Sequence, residues 1–97
     1  MKKKFNNLKE VRRNIDNVDA RLVKLIAERA RYAREAVKFK TDRRQIIDRK
    51  RINSVLSRVK KLSKKHKVGI STVEKIWKLM IQNFIILEKK LFKKPKK

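Results

Sequence analysis

Residues 8–39 carry an uninterrupted helical periodicity. Apolar side chains recur there at alternating spacings of three and four residues, which is the spacing of one face of an α-helix. The ten positions, called the 8–39 seam below, are Leu8, Val11, Ile15, Val18, Leu22, Leu25, Arg29, Tyr32, Ala36 and Phe39. A helix carrying this seam is about 48 Å long at about 1.5 Å per residue. We infer that the rest of so small a chain cannot cover it.

Arg29 is the one charged residue of the 8–39 seam. A guanidinium buried there without a partner would cost several kcal/mol, of the order of the whole stability of a small domain. Two explanations are open on the sequence alone. Arg29 pairs with Glu28 or Asp19 of a second copy and sets the register of two helices, or it binds an anionic ligand.

The charge of the chain favours anionic partners. Lys and Arg number 32 against 9 Asp and Glu, which gives a formal net charge of +23. Nucleic acid, an anionic membrane surface and small anionic substrates are the classes that such a charge attracts. The absence of cysteine excludes a disulfide scaffold. We see neither a membrane-spanning run nor a signal-peptide pattern, so we expect a cytoplasmic protein without a membrane partner.

The turn chemistry of the sequence excludes a β-fold. One glycine and one proline occur in 97 residues, so we predict an all-α chain. We expect one domain over 1–97, with basic tails at 1–5 and 93–97. The periodicity places a first helix over about residues 6–40 and a second over about residues 46–66. Gly69 is the expected stop, and a capping-box pattern at 71–74 is expected to open the third helix.

The length of the first helix implies a second copy of the chain. Two shorter helices cannot cover it, so we predict a two-fold homodimer, which also deepens the core. Other cations can join Arg29 in that assembly. Arg12 lies near the start of the first helix, Lys40 at its end and Arg51 on the inner side of the second helix. Several cations between helices favour a dicarboxylate ligand.

Two further titratable residues stand out. Glu88 lies on or beside the apolar stripe of the third helix, where it either pairs with a neighbouring cation or acts in a site. His66 is expected to cap the end of the second helix. We find no metal-ligand cluster, nucleophile–base pair or phosphate loop, so catalysis would depend on orientation and electrostatics, with no metal or cofactor.

The first helix resembles that of the all-helical chorismate mutases. The shared pattern is an Arg, an Ile-Asp-x-x-Asp, a Leu-rich stretch ending in Ala-Glu-Arg, and a Lys 11 residues later. Here it is found in the residues LKEVRRNIDNVD from Leu8, LVKLIAER from Leu22, and Lys40. The resemblance extends over about residues 8–92 and implies an intertwined homodimer of three-helix chains with two active sites.

The resemblance also implies roles for individual residues. Arg29 and the partner's Arg12 would clamp the two carboxylates of the substrate. Lys40 would bond a carboxylate and the ether oxygen of the breaking bond, and Glu88 would bond the same ether oxygen. Lys40, Glu88 and Arg29 are thus the expected catalytic residues.

The start of the second helix carries the remaining match. Arg51, which follows Asp48, lies where the family has an arginine, and both residues are expected to line the substrate site. Two positions depart from the family. Ile52 replaces a Glu that holds the C4 hydroxyl of chorismate, and Phe84 replaces a small hydroxyl residue. Both departures are similar to the isochorismate-pyruvate lyases.

Three functions follow from these observations. The first is conversion of chorismate to prephenate, a step of aromatic amino-acid biosynthesis. The second is an isochorismate-pyruvate lyase that gives salicylate and pyruvate, which Ile52 and Phe84 favour. The third is a basic helical protein that binds nucleic acid without catalysis. A nucleic-acid partner is not what we expect, because the cations of the first helix suit a small dicarboxylate better.

Overall fold

A computed structural model of the chain describes residues 4–92, and every element in that range is helical. The order is α1 (Leu8–Val37), a 3₁₀ helix (Arg43–Ile46), α2 (Arg49–Lys65) and α3 (Ile70–Leu91). This confirms the all-α prediction and the long N-terminal helix. The predicted tails fall largely on 1–3 and 93–97, outside the described residues.

The chain divides into two compact units, Met1–Tyr32 and Ala33–Lys97. The prediction of a single domain over 1–97 stays a prediction. Within the described part of the chain, none of the helices is both long enough and apolar enough to cross a membrane.

Local capping sets the start of α1. The Asn7 side chain accepts a hydrogen bond from the Glu10 N–H at 2.9 Å, and the Glu10 carboxylate accepts one from the Asn6 N–H at 3.0 Å. These bonds satisfy backbone donors that a helix start leaves without partners. Helix α1 therefore begins at Leu8, two residues after the predicted start.

Helix α1 ends before Lys40, which the sequence had placed inside it. The N–H groups of Lys38, Phe39 and Lys40 bond to carbonyls three residues back, so the last turn tightens after Val37. The regular α-helical periodicity thus stops short of Lys40. Lys40, expected at the end of the first helix, therefore lies beyond its regular turns.

The predicted break at 41–44 is partly helical. Asp42 and Gln45 form a capping box that opens the 3₁₀ helix. Helix α2 then begins at Arg49, three residues later than expected, because Asp48 caps it by accepting a hydrogen bond from the Arg51 N–H at 3.0 Å. Ile46, expected in α2, instead lies in the 3₁₀ helix with only 3% of its surface exposed.

Gly69 does not stop α2. The helix ends at Lys65 with His66 as its C-cap, which confirms the prediction for His66. The Val68 N–H bonds to the Ser63 carbonyl at 2.9 Å and the Lys67 N–H to the Lys64 carbonyl at 3.2 Å. These two bonds define a Schellman motif, whose left-handed residue is Lys67 with φ of 56°.

The capping box predicted at 71–74 is wrong. Helix α3 begins at Ile70 with Gly69 as its N-cap, and no side chain caps it. Ser71 therefore lies inside the helix, two positions after the N-cap residue Gly69. Glu74 forms an ion pair with Lys60 of α2 instead.

The core of the second unit lies where α3 packs against α2 and the 3₁₀ helix. Within this unit Val37, Ile46, Val59 and Ser63 are buried. The Ser63 hydroxyl donates to the Val59 carbonyl at 2.8 Å, so its burial leaves no unpaired polar atom. Leu62, which lies one turn after Val59 on α2, is exposed, whereas the adjacent Ser63 is buried.

Candidate active site

Lys40 and Glu88 are brought together within the second unit. The Lys40 ammonium lies 3.8 Å from a Glu88 carboxylate oxygen, and the two side chains are 21% and 12% exposed. Lys40 follows α1, whereas Glu88 lies near the C-terminal end of α3. The structure thus places next to each other the two residues expected to contact the same ether oxygen.

The loop before α2 holds Lys40 from the other side. The Lys40 ammonium donates a hydrogen bond to the backbone carbonyl of Gln45 at 2.9 Å. The Gln45 side-chain oxygen in turn accepts from the N–H of Thr41 at 2.7 Å and from that of Asp42 at 3.3 Å. Lys40 is therefore fixed by the backbone of a loop that closes on itself.

Asp42 and Gln45 were missed as structural residues in the sequence. Their spacing, Asp-x-x-Gln, is that of a capping box, which is the signal that could have identified them. Asp42 also accepts hydrogen bonds from the Arg44 guanidinium, at 2.9 Å for the shortest. This bond and the carboxylate charge raise the pKa of Arg44 above its ordinary value.

Asp48, Arg51 and Ile52 are placed by the first turn of α2. The Asp48 carboxylate is occupied by the Arg51 N–H, so its observed role is that of a helix cap. Arg51 itself is exposed, whereas Ile52 is half-buried. In the single chain the Arg51 side chain is exposed at the N-terminus of α2, and its inner position in a homodimer stays a prediction.

Phe84 is half-buried on α3, on the same helix face as Glu88 one turn further on. The other apolar residues at this spacing on α3 are also half-buried, namely Val73, Trp77, Met80 and Leu87, whereas Leu91 is exposed. An aromatic ring one turn from the Glu88 carboxyl gives this part of α3 an apolar surface with a single acidic group.

Arg12 and Arg29 belong to the first unit. Arg12 is exposed near the start of α1, and Arg29 is half-buried close to the buried Ala30. Most of the 8–39 seam is uncovered in the single chain. Its members Leu8, Ile15, Val18, Leu22, Leu25 and Tyr32 are 43 to 61% exposed.

A second polar cluster lies between α2 and α3, away from Lys40 along both helices. The Lys60 ammonium lies 2.7 Å from a Glu74 carboxylate oxygen, and the Lys78 ammonium lies 3.9 Å from the same oxygen. The hydrogen bond from Lys60 and the charges of both lysines lower the pKa of Glu74 against an opposing effect of desolvation. These residues line an open groove of about 550 Å³ that also includes Lys61 and Lys64.

The chemistry available around Lys40 is electrostatic. Among residues 4–92 we find no group of His, Cys, Asp and Glu side chains placed to hold a metal ion. An ammonium group held by a backbone carbonyl can stabilise negative charge that develops on a ligand oxygen beside it. A carboxyl group 3.8 Å away can contact the same ligand atom. Such a pair suits a ligand oxygen on which negative charge develops.

Comparison with known proteins identifies chorismate mutases as relatives of this chain. The family model of chorismate mutase type II matches residues 11–89. A chorismate mutase of Methanocaldococcus jannaschii is 33% identical over 86 residues, which covers 88% of this chain and 87% of that protein.

A second relative is a bifunctional chorismate mutase/prephenate dehydratase of Buchnera aphidicola. It is 31% identical over 90 residues, which cover 92% of this chain but only 23% of that protein. The family match runs from α1 through the loop that carries Lys40 to Glu88 in α3. This chain is therefore a member of the type II chorismate mutase family, and it is an isomerase of that family.

Proposed function

We propose that the protein converts chorismate to prephenate as a homodimer. The observation that carries this proposal is the placement of the Lys40 ammonium 3.8 Å from the Glu88 carboxyl. In this reaction one C–O bond breaks and one C–C bond forms within a single molecule, so no nucleophile or cofactor is needed. The enzyme has to hold a compressed conformer and stabilise charge on the departing ether oxygen.

Five of the predicted site residues have a role in the proposal. Arg29 and the partner's Arg12 bind the two carboxylates, since guanidinium groups pair with carboxylates in a bidentate geometry. Lys40 stabilises charge on the ether oxygen, and Glu88 donates a hydrogen bond to the same atom when it is protonated. Arg51 adds positive charge at the start of α2.

The homodimer is supported by the uncovered seam of α1. A helix of 30 residues is about 45 Å long, and apolar side chains are exposed along most of it in the single chain. A contiguous apolar strip of this length is what a second copy would cover. An antiparallel pairing of the two α1 helices would bring Arg12 of one chain toward the far part of the other.

An isochorismate-pyruvate lyase is the second candidate, and Ile52 and Phe84 favour it. Both are half-buried apolar residues. A site without a carboxylate at position 52 offers no acceptor for a C4 hydroxyl, and isochorismate carries its hydroxyl on C2 instead. The two reactions share the cleavage of the same ether bond, so Lys40 would serve in either.

One assay separates the candidates. The purified protein is given chorismate and isochorismate separately, and prephenate and salicylate are followed. Arg29→Ala is tested beside Arg31→Ala, a matched control whose guanidinium lies 5.5 Å from the centre of the Tyr32 ring. We expect prephenate from the parent protein and a loss of about 100-fold in kcat/KM for Arg29→Ala, the scale of a lost buried charge pair. The control should remain within about twofold, because a solvent-exposed cation–π contact is weak.

Other outcomes contradict the proposal. Salicylate formation without prephenate would identify the lyase. Inactivity toward both substrates, combined with tight and steeply salt-dependent binding of nucleic acid that Arg29→Ala leaves unchanged, would identify a binding protein instead. A monomer in sedimentation equilibrium at micromolar concentration would refute the dimer.

A further inference from the structure

Lys40 occupies an unusual position for a residue that must act precisely. It follows the end of α1, in the irregular segment before the 3₁₀ helix. A lysine side chain has a flexible stem of four carbons and an ammonium group with three N–H donors, and ordering it costs up to about 2 kcal/mol of conformational free energy. Electrostatic catalysis requires the charge to be in place before the reaction starts. Some group must therefore hold the ammonium.

The backbone carbonyl of Gln45 is that group within the described residues. It accepts a hydrogen bond from the Lys40 ammonium at 2.9 Å, whereas Glu88 lies at 3.8 Å, beyond hydrogen-bond distance for that pair. A lysine ammonium has three donors, so one bond to the carbonyl fixes its direction and leaves two for a ligand.

The side chain of Gln45 determines where its own carbonyl lies. Its amide oxygen accepts from the N–H of Thr41 at 2.7 Å and of Asp42 at 3.3 Å, while the Asp42 side chain accepts from the Arg44 N–H at 2.8 Å. The next residue, Ile46, is 3% exposed and anchors the 3₁₀ helix in the core. The loop is thus closed at one end by hydrogen bonds and held at the other by packing.

We propose that Gln45 is a positioning residue that orients the Lys40 ammonium through its backbone carbonyl and through the capping box it forms with Asp42. This inference rests on the proposed function of Lys40. Gln45 itself need not touch the substrate, and its side chain is exposed. Its replacement therefore removes hydrogen bonds from the loop and no side chain from the core.

The test compares Gln45→Ala, Gln45→Glu and the control Arg43→Ala, an exposed residue of the same 3₁₀ helix. Alanine removes the accepting oxygen, while glutamate keeps it, since both Glu and Gln serve at this position of a capping box. We expect Gln45→Ala to lower kcat about tenfold with little change in KM, because a misplaced charge weakens transition-state binding most. Gln45→Glu and Arg43→Ala should remain within about threefold of the parent.

A double-mutant cycle tests whether Gln45 acts through Lys40. In a Lys40→Ala background, Gln45→Ala should cause no further loss, because the group that it positions has been removed. A second loss of about tenfold in that background would overturn the proposal. Equal falls in kcat for the alanine and glutamate variants would overturn it too.

A measurement without turnover separates this proposal from the function on which it rests. Nuclear magnetic resonance relaxation of the ¹⁵N-labelled lysine ammonium groups reports how ordered Lys40 is in each variant. We expect Lys40 to lose order in Gln45→Ala and to keep it in Gln45→Glu. Unchanged order in the alanine variant would refute the positioning role, whatever the activity of the protein. Absence of mutase activity in the parent, with the order lost as expected, would refute the proposed function alone.

Discussion

Two lysine–glutamate ion pairs in the second unit differ in almost every physical respect. The Lys60–Glu74 pair is close, at 2.7 Å, and its side chains are 44% and 26% exposed. The Lys40–Glu88 pair is longer, at 3.8 Å, and its side chains are 21% and 12% exposed. The same two residue types thus form a direct hydrogen-bonded contact in one place and a looser, more buried pair in the other.

The difference indicates which pair serves a ligand. Lys60 is engaged directly with the Glu74 carboxylate, and the pKa of Glu74 falls as a result. Lys40 donates its short hydrogen bond to a backbone carbonyl, which carries no net charge and so does not neutralise the ammonium. The half-buried Lys40 ammonium also has a longer ion pair with Glu88 than Lys60 has with Glu74, so its charge is less fully compensated, which costs stability and is typical of a functional site.

The largest expected effect separates the two lysines. We predict that Lys40→Ala lowers kcat/KM for chorismate about 100-fold or more, as expected for losing a preorganised charge beside the reacting oxygen. Lys60→Ala, which removes the same charge, should remain within about twofold, because an exposed pair has little influence beyond its own contact. Steady-state kinetics on both variants provide the check. Similar losses for the two would show that net charge, and no particular site, supports activity.

A smaller effect separates the two glutamates. Only a protonated Glu88 can donate to the ether oxygen, because an ionised carboxylate is solely an acceptor. Activity should therefore fall as the Glu88 carboxyl loses its proton with rising pH. We predict that Glu88→Gln flattens this profile and raises kcat/KM about fivefold at pH 8.

Glu74→Gln is the matched control for that profile. It should leave the shape of the pH–activity curve of the parent unchanged, since Glu74 pairs with Lys60 and not with Lys40. A glutamine at position 88 that is inactive at every pH would exclude Glu88 as the donor.

The smallest effect concerns stability. The pKa of Glu74 lies below the ordinary value of 4.5 in the folded chain. The ionised Glu74 carboxylate therefore stabilises the folded chain fully above pH 4.5, and this stabilisation is lost as pH falls through the lowered pKa. Glu74→Gln should therefore have a lower melting temperature than the parent at pH 7. The difference in melting temperature between the two should become smaller as the pH is lowered towards 3.

Glu35 supplies the control for this comparison. Its carboxylate lies 2.9 Å from the Lys38 ammonium, but both residues belong to the same exposed stretch of chain. We expect Glu35→Gln to change the melting temperature less than Glu74→Gln at pH 7. A difference for Glu74→Gln that stays constant from pH 7 to pH 3 would contradict the assignment of its lowered pKa to the ion pair.

Capping boxes show how far sequence reasoning extends in this chain. The residues 42–45 and 71–74 both fit the pattern, yet only the first forms a box. Near 71–74 the helix begins earlier, at Ile70, and Glu74 of α3 forms an ion pair with Lys60 of α2 instead. The pattern describes a local possibility, and packing against a second element decides whether it is used.

The sequence alone determined the features that depend on neighbouring residues. Helical periodicity and the lack of glycine and proline act over one or two turns, so they predicted three helices, whereas the cap of α2 by Asp48 was missed. The resemblance in α1 also identified the family, because that pattern is continuous in the chain.

Only the tertiary structure decided which distant residues meet. The distance between Lys40 and Glu88, the pairing of Lys60 with Glu74 and the burial of Ile46 depend on how α3 packs against α2 and the 3₁₀ helix. The left-handed backbone conformation of Lys67 also depends on the tertiary structure, since a lysine adopts that conformation only where the turn between packed helices requires it. Local propensity carries no information on these contacts, because they form between side chains that the sequence separates and the packing of the helices brings together.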